Sequence, residues 1–169
     1  MVLSRHKIPP REAIPTVLVS GSITVAVTAA ADYDLPLTQP ANTYLEDLQA
    51  VPNSIITTAG NNGDDVDFSL GTAAGGGQII AATAILADGG GAVTWKADQP
   101  IHIVANGSGH AANAFLSAGI ATTEAIRLSL ATFSATERNI HIRVTPLAND
   151  LAAAASKIKF TARFRYSNH

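Results

Sequence analysis

Side chains able to do chemistry are sparse in this sequence. The histidines are His6, His102, His110, His141 and His169, spread along the chain. His102 and His141 sit on the polar side of alternating stretches, so two neighbouring strands would have to bring them together as a zinc pair. Neither H-x-H nor HExxH spacing is present, and surface or hydrogen-bonded structural histidines are the better reading. The densest oxygen cluster is Asn61, Asn62, Asp64, Asp65 and Asp67, the type of donors calcium takes six to eight of. It lacks an EF-hand register and the Glu at the twelfth position, so a solvated turn is preferred to a calcium site. Asn106-Gly-Ser-Gly-His110 puts a serine near a histidine without forming a G-x-S-x-G elbow. Gly75-Gly-Gly77 and Gly89-Gly-Gly91 carry no G-K-[ST] ending, which a phosphate loop needs. These observations point away from an enzyme and call for no cofactor.

The elements that would carry such residues are short strands. Lys157 to Tyr166 alternates Ile158, Phe160, Ala162, Phe164 and Tyr166 with Lys157, Lys159, Thr161, Arg163 and Arg165. A period of two places the first set on one face and the cations on the other. Similar alternation covers Thr16 to Thr28, with Ser20-Gly21-Ser22 read as a bend or bulge, and also Asp65–Leu70 and Arg138–Leu147. Shorter strands are expected at 53–58, 78–87, 93–96 and 100–105. Stretches 111–121 and 122–132 are less clear, the second favouring strand through Ile126, Leu128 and Leu130. Residues 29–41, with Asp32, Asp34, Pro36 and Pro40, read as a loop. One short helix is expected at Asn42–Ala50, where Thr43-x-x-Glu46 fits a capping box, Leu45 and Leu48 share a helical face, and Pro52 follows. The expected architecture is an all-β antiparallel sandwich, jelly-roll-like, of residues 16–169, preceded by an extended arm at 1–15 that carries Pro9, Pro10 and Pro15.

At 169 residues the chain is long enough to bury a core, and 47% of it is hydrophobic, largely through alanine. It contains no cysteine, which removes disulfides and thiolate chemistry. Nothing resembles a transmembrane helix of about 20 apolar residues. Residues 5–31 loosely imitate a signal peptide, but Pro9, Pro10, Pro15 and Ser20-Gly21-Ser22 interrupt the pattern, so the segment is read as part of the mature protein. Net charge is −2 and its distribution is uneven: no Lys or Arg lies between Glu12 and Lys96, whereas Asp150 is the only acid after Arg138. Opposite-sign segments of this kind suit pairing within a chain or between subunits. A nucleic-acid surface would interleave cations with exposed aromatics, yet Phe160, Phe164 and Tyr166 lie opposite the cations. Trp95 reads as a core anchor in preference to a sugar platform.

Ala/Gly/Thr-rich short strands, the absence of cysteine and an extended proline-bearing arm (Ile8-Pro-Pro-Arg11) resemble the capsid decoration, or cement, proteins of tailed bacteriophages. The resemblance is one of style over most of the chain and carries no motif. It implies a jelly-roll or related domain, commonly a homotrimer, made in the host cytoplasm and placed on the capsid exterior of a virion. It also implies the major capsid protein as partner, with clamping of neighbouring capsid subunits as the task. Nucleic acid and membrane are not expected partners. The residues expected to meet capsid or subunit neighbours are Arg5, Lys7, Ile8, Pro9, Pro10 and Arg11 in the arm, with Arg163 and Arg165 in the last strand. The acidic loops at Asp32–Asp34 and Asp64–Asp67 are candidate partners for that basic strip. Two alternatives remain from the sequence: a receptor- or carbohydrate-binding sandwich, and another virion component such as a tail tube, neck or fibre base.

Overall fold

Period-two alternation in the sequence becomes strands that each bury one face. The computed structural model describes residues 15–25, 31–57, 66–86, 94–103, 132–146 and 156–167, and all regular structure among them is β. In chain order the strands are β1 (Thr16–Val25), β2 (Tyr33–Gln39), β3 (Thr43–Pro52), β4 (Ile56–Thr57), β5 (Val66–Gly71), β6 (Ile80–Leu86), β7 (Thr94–Trp95), β8 (Ile101–His102), β9 (Arg138–Pro146) and β10 (Ser156–Tyr166). One four-stranded sheet has the order β1-β10-β3-β8, a second has β2-β9-β5-β6, and β4 with β7 forms a small ribbon. Every pairing is antiparallel. Setting the ribbon aside, consecutive strands of the remaining eight mostly alternate between the two sheets, as in a jelly roll.

The inner faces of the two sheets share one core. Ile158, Phe160, Ala162 and Phe164 of β10 meet Leu45, Leu48 and Ala50 of β3, Phe68 and Leu70 of β5, and Ile140, Ile142 and Val144 of β9. Phe68 and Phe160 stack across the sandwich with ring centroids 6.3 Å apart. The last strand therefore does what its alternation demands, with aromatics below and cations above.

Three sequence expectations are corrected. The first is the short helix at Asn42–Ala50, which is strand β3 instead. Register against β10 runs Arg163↔Asp47 and then Phe164↔Leu45, so Glu46 is an extra residue and β3 carries a bulge. One inserted residue turns the strand spacing of two into a spacing of three, which is how Leu45 and Leu48 both point inward. That i, i+3 pair mimics a helical face. The capping box fails as well: the Thr43 hydroxyl donates to Pro40 O at 2.7 Å, within a turn where Asn42 has φ of 57°. The second correction concerns 29–41, where residues 33–39 form β2 with Leu37 and Gln39 buried. Pro36 is tolerated because β2 is an edge strand. Third, Ser20-Gly21-Ser22 is no bend. Strand β1 pairs with β10 without a break from Thr16↔Arg165 to Val25↔Ser156. Gly21 is small because β2 packs over it: a Cβ there would lie 2.9 Å from Leu35 Cδ1 and 3.1 Å from Leu37 Cδ2.

One end of the sandwich is closed by a buried polar knot. Gln39, fully buried, donates through Nε2 to Thr43 O at 2.8 Å and Thr132 O at 2.7 Å. Its Oε1 accepts from Arg138 Nε at 3.0 Å, while the Thr132 hydroxyl oxygen accepts from Leu45 N at 2.9 Å. These bonds tie the segment before β9 to the β2–β3 turn and satisfy groups that burial would otherwise strand.

Candidate functional site

The bulge in β3 has a consequence on the outer face of the first sheet. Two consecutive residues, Glu46 and Asp47, both face outward beside the cations of β10. Arg163 Nε lies 3.0 Å from Glu46 Oε2, and Arg163 Nη2 lies 3.9 Å from Asp47 Oδ2. Arg165 Nη1 is 3.7 Å from Glu46 Oε1, and its guanidinium sits over the Tyr44 ring at 5.9 Å from the centroid. Asp47 also meets His102 Nδ1 through both oxygens, at 3.1 and 3.0 Å. Across β10, β3 and β8 the array thus alternates cation, carboxylate and imidazole. Each such partly exposed pair contributes at most about 1 kcal/mol, so the array sets local order and surface charge more than stability.

A second cluster lies on the outer face of the other sheet. Arg143 forks onto Asp34, with Nε to Oδ1 at 2.9 Å and Nη2 to Oδ2 at 2.7 Å, and reaches Asp32 Oδ2 through Nη1 at 2.8 Å. The Thr145 hydroxyl donates to Asp32 Oδ1 at 2.8 Å. The Arg143 hydrogen bonds are the main reason the Asp34 carboxyl titrates below the usual carboxylate range, against a smaller opposing effect of burial; the Gly75 N–H and His141 act in the same direction as Arg143. Gly75, at φ 70°, leaves the space that Arg143 occupies, since a Cβ would come within 2.7 Å of the guanidinium.

These partners bear on the residues singled out in the sequence. Arg163 and Arg165 face outward as expected, and both have carboxylate neighbours in their own chain. Asp32 and Asp34 are engaged by Arg143 of the same chain. His102 lies on β8 and His141 on β9, in different sheets, so they form no neighbouring pair. Among the described residues, no three His, Cys, Asp or Glu side chains group as metal ligands. Trp95 is buried at 1% exposure, and its indole N–H donates to Gln99 O at 2.7 Å. Arg5, Lys7, Ile8, Pro9, Pro10 and Arg11 lie outside the described residues, as do Asp64, Asp65 and His110. What sequence reasoning missed is the pairing of Glu46 and Asp47 with β10. The carboxylates were visible, but the bulge that puts both on one face was hidden by the helical spacing of Leu45 and Leu48.

No protein-family model matches the chain, and no curated protein matches its sequence. Among solved structures, a chain of the cyanophage Pam1 capsid asymmetric unit is similar at 12% identity and TM-score 0.43, covering 98% of this chain and 100% of that one. A chain of the capsid of Ralstonia phage GP4 is similar at 15% identity and TM-score 0.39, covering 95% of this chain and 91% of that one. TM-scores this low define neither fold nor role; the fold rests on the strand order.

Proposed function

We propose that this chain is a non-catalytic virion structural protein that decorates a phage capsid and stabilises it by clamping neighbouring capsid subunits. The observation that carries the proposal is the strand order β1-β10-β3-β8 facing β2-β9-β5-β6, a jelly roll, the architecture used by viral capsid and lectin domains. Fold alone leaves both uses open. Trp95 favours the structural one, because a sugar platform needs an exposed ring and this ring is buried. A clamp works through many modest contacts multiplied by symmetry, and sheet faces patterned with charge suit that task.

In this reading the arm, with Arg5, Lys7, Ile8, Pro9, Pro10 and Arg11, reaches the major capsid protein on the capsid exterior. Arg163 and Arg165 take part as members of the charged array and give register more than affinity. A homotrimer is the expected unit; a ring of six or twelve copies would favour a tail or neck component instead. The test is rebinding. Purified protein added to capsids stripped of it should reoccupy them at symmetry-fixed positions, and the protein lacking Met1–Pro15 should do so more weakly. Equal occupancy by the two forms would remove the arm from the proposal.

A further inference from the structure

The flank of the sandwich formed by β1 offers a second kind of contact. Strand β1 ends its sheet, and among the described residues it pairs only with β10. Edge strands in stable monomers are usually blunted by charge, proline, bulges or shortness. Among the described residues, the other three edges of the two four-stranded sheets follow that rule. Strand β2 carries Asp34 and Pro36, β6 meets β5 through two register shifts, and β8 has two residues. Strand β1 runs ten residues, Thr-Val-Leu-Val-Ser-Gly-Ser-Ile-Thr-Val, with no charge, no proline and an unbroken register. Leu18 on its outer face is 67% exposed. On its inner side Val17 and Val19 are only half-buried, as are Tyr33 and Leu35 of the neighbouring β2, so apolar surface continues around the flank.

The sequence of β1 also states what fits there. It is nearly symmetric about Gly21: Ser20 mirrors Ser22, Val19 mirrors Ile23, and Val17 mirrors Val25. A two-fold contact sets each residue against its mirror position, and here those pairs are serine with serine and β-branched with β-branched, which pack well across antiparallel strands. We propose that β1 pairs antiparallel with β1 of a second copy, centred on Gly21, joining two first sheets into one continuous sheet. Ser20 then faces Ser22 of the second copy, Val19 faces Ile23, and Leu18 faces Thr24. No like charges are brought opposite one another. The nearest cations in the Leu18–Thr24 row, Lys157 on one side and Arg163 on the other, stand three strand spacings apart. That is about 14 Å, beyond the screening length at ordinary salt. The proposal is independent of capsid binding and compatible with a trimer, since a two-fold contact joins either two chains or two trimers.

Sedimentation of the purified full-length chain tests it, with circular dichroism as the check on folding. The wild type should contain an even number of 17.4 kDa chains. Ser20 and Ser22 are both exposed on the outer face, so replacing them leaves the core untouched. The double variant S20K/S22K places lysines opposite lysines and should halve the mass; S20E/S22E should do the same, and an equimolar mixture of the two should restore it. The chain has no cysteine, so S20C and S22C give a second readout. Directly opposed strand positions lie within disulfide reach, and under oxidation the mixture should yield covalent dimer faster than either variant alone. An odd-numbered wild-type assembly, charge variants of unchanged mass, or equal cross-linking in the mixture and the single variants would overturn the proposal.

Discussion

Asp34 shows how far a single residue's chemistry is set by its neighbours. Its carboxyl is held below the ordinary carboxylate range by the Arg143 fork, so the folded chain binds fewer protons there than the unfolded one. The resulting stability is fully present above about pH 5 and is lost as pH falls through the depressed value. D34N should therefore show a shallower loss of melting temperature between about pH 5 and pH 3 than the wild type, measured by thermal unfolding across that range; parallel curves would contradict the assignment. In the core the relevant quantity is volume. Phe160 is fully buried and stacked on Phe68, so F160A should cost about 3–5 kcal/mol in denaturant unfolding, with a cost under about 1 kcal/mol contradicting the packing.

At the scale of elements, strand β3 makes the sharpest claim. Its bulge means that Glu46 is surplus to the ladder, whereas Gln49 is not. Deleting Glu46 should leave Leu45, Leu48 and Ala50 facing the core and give a folded protein. Deleting Gln49 reverses the facing of every residue on one side of the break, and that variant should fail to fold or melt far lower. Soluble yield and circular dichroism distinguish the two; equal tolerance would argue against the bulge. The polar knot gives a second test. Q39L leaves Thr43 O and Arg138 Nε without their Gln39 partner, and Thr132 O short of one donor, so it should cost about 2–4 kcal/mol by denaturant titration. Strands β5, β9 and β10 were readable from the chain because plain alternation survives wherever a strand has one buried face. Strand β2 was obscured by Pro36 and Asp34, which an edge position admits. Strand β3 was obscured because an inserted residue imitates helical spacing. The outward cations of β10 were legible, but their partners were not, since pairing depends on which strand the fold lays alongside.

At the scale of the whole molecule, a jelly-roll sandwich carries arginine–carboxylate clusters on the outer faces of both sheets, and the role proposed for it is built on contacts with other subunits. Arg163 and Arg165 have partners in Glu46 and Asp47, so R163A/R165A should lower stability by no more than about 1 kcal/mol per ion pair in denaturant unfolding. A larger weakening of capsid occupancy by the same variant would assign those arginines to the interface, whereas unchanged occupancy would remove them from it. The central claim is attachment to a shell, and cryo-electron microscopy of stripped capsids mixed with the purified chain tests it most directly. The account predicts density for the jelly roll at symmetry-related sites on the outer surface, contacting more than one capsid subunit at each. Bare capsids under saturating protein would contradict it.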